Sequence, residues 1–308
     1  MRNIILDCDP GHDDAIAILL AGQKKYFNLL GITTVSGNQT IEKTTQNALN
    51  LVNFLNLDVP VAMGTDEHII REIEICDSIH GESGLDGYIF PSHNRKPIDL
   101  NAVEEIINLT LNNEHVTIVT TGPMTNLGLA LKVKPAIKKH IDEIIFMGGS
   151  LEHGNVTPAA EFNILCDPEA AYIALNSGIP IKMVGLNVTR KVLVTDEVIE
   201  RMAKINNKTS DLFVKLMTVF KENYIKTFAN CAGGPLHDPV TIASLIDDKL
   251  VSWKHLNVDI DLSHGPSYGR TNCDLYDYLN KSHNCYVAMD IDVNRFWDII
   301  EEGIKSYE

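Results

Sequence analysis

Between Asp7 and Asp14 the chain reads Asp7-Cys8-Asp9-Pro10-Gly11-His12-Asp13-Asp14, four carboxylates directly after the apolar run Ile4-Ile5-Leu6. Carboxylates held that closely repel one another and resist leaving water, so a fold that gathers them needs a compensating cation. Hard oxygen ligands suit Ca²⁺ or Mg²⁺. Pro10 and Gly11 bend the chain between a strand and a helix, which aims Asp9 and the pair Asp13-Asp14 back toward one point. A capping role for Asp13 or Asp14 is the plain alternative. A cap needs one carboxylate, whereas this loop supplies four.

Three further segments carry chemistry of the same kind. Thr120-Thr121-Gly122-Pro123 offers hydroxyls and turned-out carbonyls that a cation can take as ligands, or serves only as a turn. His237-Asp238-Pro239 sets an imidazole beside a carboxylate at a helix start, where Asp238 can be an N-cap with Pro239 as first helical residue, a metal ligand, or both. Asn155 and the run Glu161-Phe162-Asn163 place a carboxylate and two amides on a Gly/Pro-punctuated loop. Such groups grip vicinal hydroxyls, as a sugar requires, though each alone is ordinary loop polarity.

The elements that must position these residues alternate. Apolar runs at Ile4-Ile5-Leu6, Leu29 to Val35, Val59-Pro60-Val61, Val116 to Val119, Ile144 to Met147 and Ile181 to Val184 read as strands. Ile41, Ala48, Leu49, Val52 and Leu55 recur at helical spacing, as do Val103, Ile106, Ile107 and Leu111. Asp167-Pro168-Glu169 starts another helix and Gly178 closes it. The expected fold is α/β, an open and mainly parallel sheet flanked by helices and joined by right-handed crossovers. Ligands bind such sheets beyond the carboxyl ends of the strands, where Asp7 to Asp14, Ser36-Gly37-Asn38, Thr120 to Pro123 and Gly148-Gly149 all fall. Helices follow at Asp196 to Ile205, from Ser210 to Phe228 and after Asp238; Val258 to Leu262 and Tyr286 to Ile291 read as late strands of antiparallel type.

The 308 residues, 44% hydrophobic, suffice for one large domain spanning 1–308, with no low-complexity linker or fixed repeat. A formal charge of −15 disfavours nucleic acid or an anionic membrane surface as partner and fits a neutral or cationic small molecule. The first strand leaves no room for a signal peptide, and no run reaches membrane-spanning length, so a cytoplasmic location is expected. Cys8, Cys76, Cys166, Cys231, Cys273 and Cys285 have no zinc spacing and read as reduced thiols.

In these segments the chain resembles the inosine/uridine-preferring nucleoside hydrolases. The likeness rests on Asp7 to Ala15, Gly37-Asn38-Gln39-Thr40, His80-Gly81-Glu82-Ser83-Gly84-Leu85-Asp86-Gly87 and Thr121-Gly122-Pro123-Met124-Thr125-Asn126. It continues through Met147-Gly148-Gly149, Pro158 to Asn163, Asp167 to Ala171 and His237-Asp238-Pro239. The resemblance implies the nucleoside hydrolase fold and Ca²⁺ held by Asp9, Asp14, Asp238 and the Thr121 carbonyl. It also implies a water, acidified by the metal and deprotonated by Asp9, that attacks the anomeric carbon of a ribonucleoside. Asp13, Asn38, Asn155, Glu161 and Asn163 match ribose-holding positions, and His237 serves the departing base. The wording Gly11 to Asp14, Gly84 to Gly87 and Ser267-Tyr268-Gly269-Arg270-Thr271 is closest to the pyrimidine-preferring members, so uridine and cytidine are the expected substrates and inosine the next. His80 and Tyr224 or Phe228 would then line the base pocket, with flaps near His80 and from Tyr224 to Cys231. The resemblance further implies a homodimer or homotetramer and a role in nucleoside salvage.

Two other classes fit parts of the pattern. Asp7-Cys8-Asp9 after a strand satisfies the Asp-x-Asp of haloacid-dehalogenase-type Mg²⁺ phosphatases, but the Pro-Gly turn with Asp-Asp and the lack of a phosphate-cradling loop argue against them. A catalytically silent nucleoside or ribose sensor would have no reason to keep a water-activating Asp9.

Overall fold

Alternate side chains of the opening strand serve different layers: Ile4, Leu6 and Cys8 pack into one hydrophobic cluster and Ile5 into another. A strand buried on both faces needs helices above and below it, the condition that parallel sheets with crossovers meet. The structure, a computed structural model, describes residues 1–228 and 231–307. Its strands are β1 (Arg2–Cys8), β2 (Phe27–Thr34), β3 (Val61–Ala62), β4 (Val116–Thr120), β5 (Ile141–Met147), β6 (Ile181–Val184), β7 (Leu193–Val194), β8 (Gly234–Pro235), β9 (Val251–Leu256), β10 (Val258–Ile260), β11 (Thr271–Cys273) and β12 (Cys285–Ile291). Eight of them form one sheet in the order β3-β2-β1-β4-β5-β6-β12-β9, parallel throughout except for the edge pair β12–β9.

The helices are α1 (His12–Ala21), α2 (Ile41–Phe54), α3 (Asp77–His80), α4 (Ala102–Leu111), α5 (Thr125–Val133), α6 (Phe162–Cys166), α7 (Pro168–Leu175), α8 (Leu186–Thr189), α9 (Asp196–Ala203), α10 (Lys208–Thr227), α11 (Pro239–Ile246) and α12 (Val293–Lys305). Apolar residues of α1, α2, α10, α11 and α12 cover one face of the sheet, and those of α4, α5 and α7 the other. β1 lies between β2 and β4, so the strand order reverses beside it. That reversal opens a crevice at the carboxyl ends of β1 and β4, the place where α/β sheets take ligands.

The open, mainly parallel sheet is as the sequence indicates, and the differences are local. Of Val59-Pro60-Val61 only Val61 joins a strand, because Pro60 has no N–H to give and uses its carbonyl for Ile32 instead. α9 ends at Ala203 rather than Ile205, and α10 begins at Lys208 because Asn207 caps it. The late strands divide: β10 pairs antiparallel with β11, whereas β12 runs parallel to β6 and antiparallel to β9. β9, with Trp253, Lys254 and His255 between its buried ends, lacks the apolar run that marks the central strands. The expected flap from Tyr224 to Cys231 includes Ala229 and Asn230, which lie outside the described residues.

Candidate active site

Helix α1 begins under the crevice with its first residues buried: Asp13 is 5% exposed and Asp14 is fully covered. Its N-cap is Gly11, at φ −101°, so glycine is not needed there for a left-handed backbone. It is needed for room, because a Cβ at this position would lie 2.5 Å from His80 Nδ1. Asp14 does act as a helix cap, accepting the Gly11 N–H at 3.1 Å through Oδ2. It also accepts the Thr121 hydroxyl at 2.7 Å and the Asn38 amide at 3.1 Å. Asp13 makes no such cap and keeps Oδ1 buried without a hydrogen-bond partner.

Asp238 occupies the N-cap position of α11 with Pro239 first in the helix, yet its side chain bonds none of that helix's N–H groups. Its carboxylate joins the α1 pair instead, and ligand oxygens of Asp13, Asp14 and Asp238 all lie within 4.8 Å of one another. Asp9 stands outside this trio. Its Oδ2 accepts the Asn38 backbone N–H at 2.7 Å, and its Oδ1 is buried with no partner among the described residues. Burial, then the neighbouring Asp14, pushes the Asp9 carboxyl well above the usual range and Asp13 to about 7. Burial and the surrounding carboxylates push Asp238 up in the same sense. No described residue bordering the cavity is Lys or Arg. Buried carboxylates of this number, with orphaned oxygens and no Lys or Arg on the cavity lining, fit a divalent metal with oxygen ligands.

The cavity above these carboxylates leaves about 650 Å³ free of protein atoms and opens to solvent. Its floor includes Asn163, whose amide donates to the Thr121 carbonyl at 2.7 Å and to the Met147 carbonyl at 3.2 Å. Glu161 is the N-cap of α6; its carboxylate accepts the N–H groups of Asn163, Ile164 and Gly149. Asn155 is exposed at the rim and accepts the Phe162 N–H at 3.0 Å. Part of the lining is aromatic: His80 with Phe220, and Tyr224 with Phe228 at a ring separation of 4.7 Å. His237 completes it, its Nδ1 2.7 Å from the Thr189 hydroxyl, with burial and then Arg190 lowering its pKa to about 3. The lining thus joins buried carboxylates and amides, which can hold a cation and hydroxyl groups, to aromatic rings that can meet a flat ring.

Residues 4–298 match the profile of the inosine-uridine preferring nucleoside hydrolases. The chain belongs to this family. It is 42% identical to the pyrimidine-specific ribonucleoside hydrolase RihB of Escherichia coli over 99% of this chain and 98% of that protein. The RihB protein of Escherichia fergusonii matches to the same extent, 42% over 99% and 98%. Among solved structures, the purine-preferring ribonucleoside hydrolase of Gardnerella vaginalis superposes with a TM-score of 0.91 at 34% identity, covering 99% of this chain and 100% of that one. The plant nucleoside hydrolase PpNRh1 gives a TM-score of 0.92 at 30% identity, covering 99% of each chain.

As a nucleoside hydrolase the chain hydrolyses an N-ribosyl bond, and the phosphatase alternative falls away. Of the residues singled out in the sequence, Asp13, Asn38, His80, Thr121, Asn155, Glu161, Asn163, Tyr224, His237 and Asp238 all border one cavity, while Asp9 and Asp14 lie buried beside it. Cys76, which reads in the sequence only as a reduced thiol, and Phe162, which reads only as part of the run Glu161 to Asn163, border it too, as does Phe220, which the sequence reading does not name. Phe220 had a signal, since it precedes Tyr224 by one helical turn on α10. No helix among the described residues is long and apolar enough to cross a membrane.

Proposed function

We propose that this nucleoside hydrolase uses Ca²⁺ to cleave pyrimidine ribonucleosides, uridine and cytidine, into free base and ribose. The observation that carries the reading is the buried trio Asp13, Asp14 and Asp238 beneath a cavity with a polar floor and an aromatic wall. Asp9, Asp14, Asp238 and the Thr121 carbonyl would hold the ion, with Asp13 close enough to belong either to it or to the ribose. Bound there, the ion supplies Lewis acidity that makes water easier to deprotonate and attracts the ribose hydroxyls.

The remaining work belongs to side chains. Asp9 has a free carboxylate oxygen in a water-poor setting, the condition for accepting a proton from the attacking water as general base. Asn38, Asn155, Glu161, Asn163 and Asp13 hold the ribose hydroxyls, and the carboxylates of Asp13 and Glu161 favour the cationic, flattened sugar of an oxocarbenium-like transition state. His80 and Tyr224 line the base pocket, and His237 meets the departing base through its open Nε2. The pyrimidine preference follows the RihB relatives, which are named for it. A dimer or tetramer acting in cytoplasmic nucleoside salvage is the expected setting.

Ribose release from uridine, cytidine, inosine and adenosine tests the substrate assignment. The two pyrimidine nucleosides should rank first in kcat/KM; a purine nucleoside in first place would overturn the preference.

A further inference from the structure

One buried side chain couples the base side of the cavity to the helix that carries the carboxylates. His12, the first residue of α1, is 0% exposed and sits behind the cavity wall rather than on it. Its Nε2 lies 2.8 Å from the Asp86 carbonyl oxygen, a contact that needs the proton on Nε2. Its backbone N–H belongs to the first helical turn, where N–H groups lack helical partners, and donates to His80 Nδ1 at 3.2 Å. His12 Nδ1 also lies 3.4 Å from His80 Nδ1, but the His12 backbone N–H points at the same atom from the shorter 3.2 Å, so His80 Nδ1 is the acceptor, and a ring that accepts at Nδ1 is neutral and carries its hydrogen on Nε2. His80 Nε2 has no partner among the described residues and is not sealed from solvent, and the ring borders the cavity.

The arrangement is braced from both sides. The rings of His12, His80 and Phe220 stack pairwise, with centroids 5.6 to 5.9 Å apart and planes within 28° of parallel. The Asp86 carboxylate accepts the N–H groups of Glu82 and Ser83, which fixes the turn that offers its carbonyl to His12. Gly81 adopts φ +78°, and a Cβ there would meet Asp86 Oδ2 at 2.1 Å, so the turn closes only around glycine.

We infer that His12 is a positioning residue for base recognition: by bonding the Asp86 carbonyl and stacking on His80, it holds segment 77–87 against α1 so that His80 presents Nε2–H to an acceptor on the nucleobase. The inference rests on the nucleoside reading above. A carbonyl oxygen of a pyrimidine is such an acceptor. Glu161 and Asn163 take their hydrogen bonds from α6 and from the ends of β4 and β5, not from His12 or segment 77–87.

Two substrates separate this role from a general structural one. Uridine needs the base contact, whereas p-nitrophenyl β-riboside has the same sugar, a leaving group that departs without help, and no base carbonyl. For His12→Leu, kcat/KM on uridine should fall about tenfold or more, the worth of one lost hydrogen bond in a desolvated site, while the p-nitrophenyl riboside stays within about threefold. His12→Gln, whose amide can still donate to the Asp86 carbonyl, should recover most of the uridine activity. His80→Gln, keeping a donor at the ε position, should exceed His80→Phe on uridine only, which tests the donor even if His12→Leu fails to fold. An equal fall on both substrates, or an unchanged uridine rate in His12→Leu, would overturn the inference. A wild-type chain active on the p-nitrophenyl riboside and inert to uridine would overturn the pyrimidine reading itself, independently of any variant.

Discussion

The hydroxyl of Thr121 donates to Asp14 Oδ1 at 2.7 Å, and this single bond ties the loop after β4 to the first turn of α1. Asp7 and Thr120 are paired neighbours on the parallel strands β1 and β4, so the two loops leave the sheet side by side. The same Thr121 lends its carbonyl to the Asn163 amide, which brings α6 to the point where the carboxylates converge. Parallel register thus sets the spacing of the candidate metal ligands before any side chain is chosen.

Thr121→Val keeps the size of the side chain and removes the donor. Asp14 Oδ1 then loses a partner in a fully buried place, a loss of about 1–3 kcal/mol. Calcium affinity measured by titration calorimetry should weaken by roughly 5-fold to 150-fold, with the fold intact by circular dichroism. Unchanged affinity would mean that the hydroxyl does not orient Asp14.

Asp9→Asn tests the base. The amide cannot take a proton, so kcat should fall by about 10²–10⁴. Asn38 N–H can still be accepted by the amide oxygen, and ribose binding should persist. A variant with wild-type turnover would remove Asp9 from the role.

Gly11→Ala places a methyl 2.5 Å from His80 Nδ1 and 2.8 Å from Asn38 Nδ2. The ring and the amide must both shift, at a strain of about 1–3 kcal/mol, and the shift occurs on the base and ribose groups at once. Loss of activity should therefore exceed loss of stability, read as a large fall in kcat/KM beside a small fall in Tm. Wild-type kinetics would show that His80 has room to spare.

Much of this site was legible because its residues cluster in short runs. Asp7 to Asp14, Thr120 to Pro123 and His237 to Asp238 announce themselves by type, and the alternation of apolar runs puts them at one end of a sheet. What each carboxylate does was not legible. Asp238 and Asp14 share a cap-like position in sequence, yet Asp14 bonds a helix N–H and Asp238 bonds none. That difference depends on where α11 meets α1, which no local pattern records. Glu161 likewise reads as a hydroxyl-gripping carboxylate on a loop, and nothing in the sequence marks the three backbone N–H groups that converge on it. The edge strand β9 escaped because its exposed, charged middle breaks the apolar pattern that marks its neighbours.

Asp238→Asn should separate stability from function. At pH 8 without metal, removing one of the mutually repelling carboxylates should raise Tm by about 2 °C or more. Calcium at about a hundred times Kd should add about 2.7 kcal/mol to the wild type and far less to the variant. Differential scanning of both proteins, with calcium and with chelator, gives the four values needed. A variant less stable than the wild type under chelation would contradict the account of repulsion.

The most direct test of the whole account is ribose release from uridine by the wild-type chain, measured with Ca²⁺, after removal of metal by a chelator, and after Ca²⁺ is restored. The account requires release in the first case, its loss in the second and its recovery in the third. Uridine cleavage that continues undiminished after exhaustive chelation would contradict it, since the buried trio Asp13, Asp14 and Asp238 would then have no cation to hold.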